Sequence, residues 1–223
     1  MPVIAVSSKK GGSGKTTVTI NIADALHAAG ERVLVLDADP QRTAMNWPLH
    51  ADDVSLTPAV LSVDATLAAP TRVPALKAAF DWILIDCPPR HGDTITAAFS
   101  VADLILVPVR PSLMDLEALG ATIEEIQAAQ RRRPVQALAV INQRSPKSKT
   151  ADETPALIIQ AGLAVASTQM GLRVDYLDAY AQGLGVCRSA PKSKAAAEIK
   201  ALLAEVRALL APPPPTLPAK RRK

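Results

Sequence analysis

The apolar run at 3–6, Val3-Ile4-Ala5-Val6, leads into Ser7-Ser8-Lys9-Lys10-Gly11-Gly12-Ser13-Gly14-Lys15-Thr16-Thr17, and a helical pattern begins at position 15. Such a strand, glycine loop and helix in immediate succession leaves few folds open. A buried strand that feeds a helix through a tight loop starts a parallel α/β unit, since the helix must cross back over the sheet. The glycines let backbone N–H groups converge on phosphate oxygens, and the helix N-terminus adds a favourable dipole. The general spelling GxxxxGK(S/T) would place Gly at position 9, where this chain has Lys9, but the core Gly14-Lys15-Thr16 is intact. Lys15 is expected to reach the β- and γ-phosphates of a nucleotide, and the Thr16 hydroxyl to ligate Mg²⁺.

The rest of the chain agrees with that start. Further apolar runs at 32–37, 82–86, 104–109, 135–142 and 163–166 are apolar on both faces, as buried parallel strands should be. Helical patterns fall between and after them at 15–29, 41–47, 74–80, 94–102, 113–133, 153–161 and 195–210. The expected architecture is a doubly wound, mostly parallel α/β sheet flanked by helices, as one domain over 1–211. Residues 212–223, Pro-rich and then basic, are expected to form a disordered tail.

Two further motifs place carboxylates where such a sheet binds ligands, at the carboxyl ends of strands. Run 32–37 ends in Asp37-Ala38-Asp39-Pro40-Gln41, and run 82–86 ends in Ile83-Leu84-Ile85-Asp86. Alone, Asp37 and Asp39 would read as loop or helix-capping acids. Beside a phosphate loop, Asp86 reads as the acid that holds a Mg²⁺-bound water. Cys87 reads as a small packed residue and His91 as a polar loop residue.

Lys10-Gly11-Gly12-Ser13-Gly14-Lys15-Thr16 resembles the deviant Walker A motif, KGGxxK(S/T), of the ParA/MinD ATPases. The resemblance covers residues 3–210 and is specific in the three phosphate-site motifs, looser in the second half. It implies a P-loop NTPase using ATP and Mg²⁺, with Gly11, Gly12, Ser13, Gly14, Thr16 and Thr17 around the phosphates. Lys10 matches the family's signature lysine, which reaches across an ATP-sandwich homodimer to the partner's nucleotide. Asp37-Ala38-Asp39-Pro40-Gln41 resembles the family's DxDPQ, so Asp39 would position the attacking water and, with Thr16, Asp37 and Asp86, belong to the Mg²⁺ shell. Val107–Asp115 is similar to a PSxxD segment of the family, and Asn142 stands where related proteins often contact adenine, although an Asn after a strand is also a routine turn former.

Charge narrows the partner. The net +4 is uneven: residues 1–186 carry 16 basic against 19 acidic side chains, residues 187–223 nine against two. Lys192-Ser193-Lys194 resembles the segment that opens the last helix of ParA proteins, so Arg173, Arg188, Lys192 and Lys194 are the candidate contacts to nonspecific DNA. Their competing reading is a solvated basic helix start. Two cysteines, 87 and 187, make neither a disulfide scaffold nor a paired-cysteine iron–sulfur site, and 3% aromatic residues exclude a stacking platform for single strands. A short ParA-type ATPase without an N-terminal helix-turn-helix is expected. It would be cytoplasmic and bound to the nucleoid in its ATP state, with a ParB-like or cargo-adaptor protein stimulating hydrolysis. The alternative is a MinD-like positioning ATPase at a membrane, for which the apolar stripe at 195–210 would have to serve as the anchor.

Overall fold

The computed structural model describes residues 1–68, 72–89, 92–146 and 149–211. In chain order the elements are β1 (Val3–Val6), α1 (Lys15–Ala28), β2 (Val33–Asp37), α2 (Thr43–Asn46), β3 (Ala59–Ser62), α3 (Arg72–Ala79), β4 (Trp82–Asp86) and α4 (Asp93–Val101). They continue as β5 (Leu104–Val109), α5 (Leu113–Gln130), β6 (Gln136–Ile141), α6 (Lys149–Gln160), β7 (Ala164–Val165), α7 (Asp175–Ala181), α8 (Val186–Ser189) and α9 (Lys194–Leu210).

All seven strands run parallel in the order β3-β2-β4-β1-β5-β6-β7. Every residue of β1, β2, β4 and β5 is buried, which explains why these runs are apolar without alternation. Successive side chains leave for opposite faces and build two cores. Ile4, Val6, Val35 and Leu84 pack with α1, α8 and α9, while Val3, Ala5, Leu36 and Ile85 pack with α4 and α5. Pro108 is tolerated inside β5 because β1 pairs only as far as Leu106, beyond which the chain turns into the glycine loop.

Several expected elements have different limits, and some are new. The pattern at 41–47 becomes a one-turn helix, α2, continued by a 3₁₀ turn at Trp47–His50. α5 stops at Gln130, leaving Arg131, Arg132 and Arg133 in a turn. β3 has no sequence signal because it is an edge strand with little burial; it exists through its pairing with β2. α7 and α8 are too short to show a period. The stripe on α9 faces the core through Ile199, Leu202, Leu203 and Val206, which are buried in one cluster with α1 and the sheet, while Leu209 near its end is exposed. Its start is capped by the Ser193 hydroxyl, which accepts from Ala196 N at 3.1 Å. Among the described residues no helix is long and apolar enough to cross a membrane. The tail at 212–223 and the loop residue His91 lie outside the described residues.

α8 is held by tertiary contacts rather than by propensity. Val186 N donates to Asn21 Oδ1 at 2.8 Å, and Asn21 Nδ2 donates to Thr17 O at 2.8 Å in the first turn of α1. Arg188 forms a forked ion pair with Asp24, which is fully buried in α1. Gly185 is required beside it, because a Cβ there would come within 2.7 Å of Asp24 Cβ. Removing the guanidinium strands a buried carboxylate. Arg188→Met should therefore lower the unfolding free energy in urea at neutral pH by about 3–5 kcal/mol.

Candidate nucleotide-binding site

The loop between β1 and α1 is shaped by two left-handed glycines, Gly12 (φ 73°) and Gly14 (φ 93°). Gly14 is the N-cap of α1 and has no side chain to offer, so the protein leaves the first N–H groups of the helix uncapped. A Cβ at Gly14 would also lie 2.0 Å from Asn142 Nδ2. That contact reveals how the loop is supported. Asn142, at the end of β6 and 3% exposed, donates from Nδ2 to Ser13 O at 2.8 Å. Its Oδ1 accepts from Gln143 N at 2.8 Å, and Gln143, itself left-handed at φ 55°, donates from Nε2 to Gly12 O at 2.9 Å. Two consecutive amides thus pin the loop from β6. The Asn142 carboxamide, expected against adenine, donates one of its two N–H groups to the loop carbonyl.

Lys15 is 6% exposed, and its Nζ donates to Lys10 O at 3.3 Å. Burial lowers its pKa, against the opposing charges of Asp86 and Asp39. Thr16 Oγ1 donates to Asp86 Oδ2 at 2.6 Å, and Thr19 Oγ1 to Asp86 Oδ1 at 3.4 Å. Asp37 and Asp86 are partners in the β2–β4 register, 0% and 1% exposed. Asp37 accepts from Asp39 N at 3.0 Å and Met45 N at 2.8 Å, and burial still raises its pKa. Asp86 is pushed up to about 7, chiefly by burial and also by Asp37, with Thr16 and Lys15 pulling the other way. Asp39 is half-buried beyond them and accepts from Gln41 N at 2.9 Å. Thr17, half-buried, has its carbonyl occupied by Asn21. Lys10 is half-buried and Gly11 exposed at the loop tip.

These residues fit a Mg²⁺–nucleotide. The Ser13 hydroxyl is buried with no hydrogen-bond partner among the described residues, and Lys15 is a buried cation beside it. Thr16 and two crowded carboxylates supply hard oxygen donors on one flank. Among the described residues no group of three His, Cys, Asp or Glu forms a metal cage; Mg²⁺ uses one or two carboxylates, with phosphate and water completing its shell.

Sequence reasoning overlooked Gln143 and two ion pairs. Lys9 binds Glu125 of α5 at 3.5 Å, and Arg110 binds Asp115, which Ser112 also contacts. The latter was legible as Ser112-x-x-Asp115, the spacing of a reciprocal helix cap. Of the candidate DNA contacts, Arg188 is paired with Asp24, and Arg173 with Glu198, whose carboxylate also accepts from Gly171 N and Tyr176. Lys192 and Lys194 are exposed, with no acidic partner among the described residues. Cys87 is fully buried, and burial pushes its thiol well up.

Asp86 makes the metal-free, nucleotide-free protein pH-sensitive. Its folded pKa, about 7, lies above the unfolded 3.8, so its contribution to stability is complete below the lower value and lost as pH rises through the upper. In chelator, Asp86→Asn should exceed the parent in unfolding free energy at pH 8 by on the order of a few kcal/mol, read by urea denaturation, with the gap closing towards pH 4.

Comparison with known proteins agrees with this geometry. A profile of the CobQ/CobB/MinD/ParA nucleotide binding domain matches residues 4–186. The maintenance of carboxysome distribution protein A of Halothiobacillus neapolitanus is 35% identical over 210 residues, 91% of this chain and 95% of that protein. The chromosome partitioning protein ParA of Caulobacter vibrioides is 32% identical over 165 residues, 56% of this chain and 62% of that one. Among solved structures, the septum site-determining protein MinD of Pyrococcus horikoshii with Mg-ADP has a TM-score of 0.75 at 21% identity, covering 92% of this chain and 95% of its own. The chain belongs to the CobQ/CobB/MinD/ParA nucleotide-binding domain family.

Proposed function

We propose that this chain is a Mg²⁺-dependent ATPase that dimerises on ATP, binds DNA without sequence preference and is released when a partner stimulates hydrolysis. The observation that carries this reading is the convergence of Lys10, Lys15 and Thr16 with Asp37, Asp39 and Asp86 at the carboxyl edge of β1, β2 and β4. Mg²⁺, when bound, neutralises phosphate charge and fixes the orientation of the phosphate chain. Thr16, Asp37 and Asp86 hold it, directly or through water. Lys15 and the open N–H groups of α1 bind the phosphates, and the Ser13 hydroxyl finds a partner there. Asp39 orients the attacking water, and Lys10 reaches the nucleotide of the second copy, which ties hydrolysis to dimerisation.

The cargo is moved over DNA in the cytoplasm, on the nucleoid. The relative matched over nearly its whole length is named for carboxysome distribution and supports positioning of a protein assembly; the ParA relative supports DNA partition. A ParB-like protein or cargo adaptor supplies the stimulus. Lys192 and Lys194 contact DNA phosphates. Cations at the start of α9 oppose its dipole, so their presence calls for an anionic partner. Arg173 and Arg188 support this face from their ion pairs.

Binding to DNA and to anionic liposomes, each with ATP, ADP or a non-hydrolysable analogue, tests the reading. Retention on DNA with ATP alone is expected; retention on liposomes instead would favour a MinD-like role. Lys10→Ala should reduce stimulated hydrolysis by about a hundredfold. Asp39→Ala should give an ATP-bound dimer that stays on DNA, and normal turnover by that variant would refute the role of Asp39.

A further inference from the structure

The nucleotide loop has two flanks. The sheet order places β4 and β2, with their carboxylates, on one side of β1, and β5 and β6 on the other. Arg110 follows β5 on the side away from the carboxylates. Its Nε and Nη2 donate to Asp115 Oδ1 and Oδ2 at 3.0 and 3.1 Å. Asp115, 4% exposed, is itself fixed by the Ser112 hydroxyl at 2.6 Å. The forked pairing sets the plane of the guanidinium and directs Nη1 towards the loop tip, where a Cβ on Gly12 would lie 3.9 Å from it. Nη1 has no acceptor among the described residues.

Neutralising a buried carboxylate is one sufficient reason for an arginine here. It does not require the fork to be turned so that a donor edge is left at the loop, with the side chain 32% exposed. An oriented guanidinium loses little entropy on meeting phosphate and can engage two oxygens at once.

We propose that Arg110 is a phosphate-contacting residue of the nucleotide site. It engages non-bridging oxygens of the phosphate chain on the flank away from Asp37 and Asp86, and Asp115 is its positioning residue. This rests on the nucleotide reading given above. Lys15 and Arg110 then grip the chain from separate directions, and the carboxylates handle only its metal side.

The test separates the phosphate contact from neutralisation of Asp115. Removing both charges, as Arg110→Gln with Asp115→Asn, leaves no unpaired buried ion, and the double variant should melt close to the parent. Titration of the full chain with Mg-ADP and Mg-ATP carrying a fluorescent ribose label should nevertheless show binding at least about tenfold weaker for both nucleotides. Arg110→Lys keeps the charge beside Asp115 and guards against a double variant that fails to fold. Its single nitrogen cannot sit against Asp115 and reach the phosphates as well, so its affinity should also fall several-fold while its melting temperature holds. Parental affinity in either folded variant would overturn the proposal and leave Arg110 as a counter-ion. If the parent chain itself bound neither nucleotide, the nucleotide reading would fail, and this inference with it.

Discussion

Asp37 and Asp86 stand side by side in register on neighbouring strands, both almost completely out of water. Burial strips both of hydration and is the chief reason both are pushed towards protonation, with the charge of Asp39 adding to it at Asp37 and those of Asp37 and Asp39 at Asp86. Much of the surrounding architecture answers this tension. Thr16 and Thr19 donate to one carboxylate, backbone N–H groups of Asp39 and Met45 to the other, and Lys15 is buried within reach of their field. None of these neutralises the pair as a divalent cation would. A cation bound beside them would offset the cost of burying them, which is the part proposed above for Mg²⁺.

On the other flank, support is neutral or already balanced. Asn142 and Gln143 hold the loop by amide contacts, and Arg110 and Lys9 are each paired with an acid. The loop is thus fixed at the carbonyls of Gly12 and Ser13, while the start of α1 has no side-chain cap. The same economy governs the basic residues near the C-terminal helix. Arg173 and Arg188 hold elements together, whereas Lys192 and Lys194 are exposed and have no acidic partner among the described residues.

The fold was legible because the central strands are apolar on both faces and each is followed by a helical period. Motif residues at strand ends marked the cluster that the fold brings together, since Gly14, Lys15, Thr16, Asp37 and Asp86 fall at the carboxyl ends of strands or in the loop and helix start after one. What escaped notice depends on pairing across long sequence distances. β3 has four residues and mostly exposed side chains, so only its ladder with β2 defines it. Asp24 and Arg188 are 164 residues apart, and nothing local announces that one neutralises the other. Asn142 illustrates the same limit: its position after β6 was readable, but its contact with Ser13 required knowing that β5 lies between β6 and β1.

The two borders of the sheet, β3 with four residues and β7 with two, are short. An open border is a template onto which another chain can add a strand, and a long flat one invites uncontrolled growth. With so little free backbone ladder at either border, the described residues offer scant template for such growth, and the dimer proposed above would have to form through side-chain surfaces.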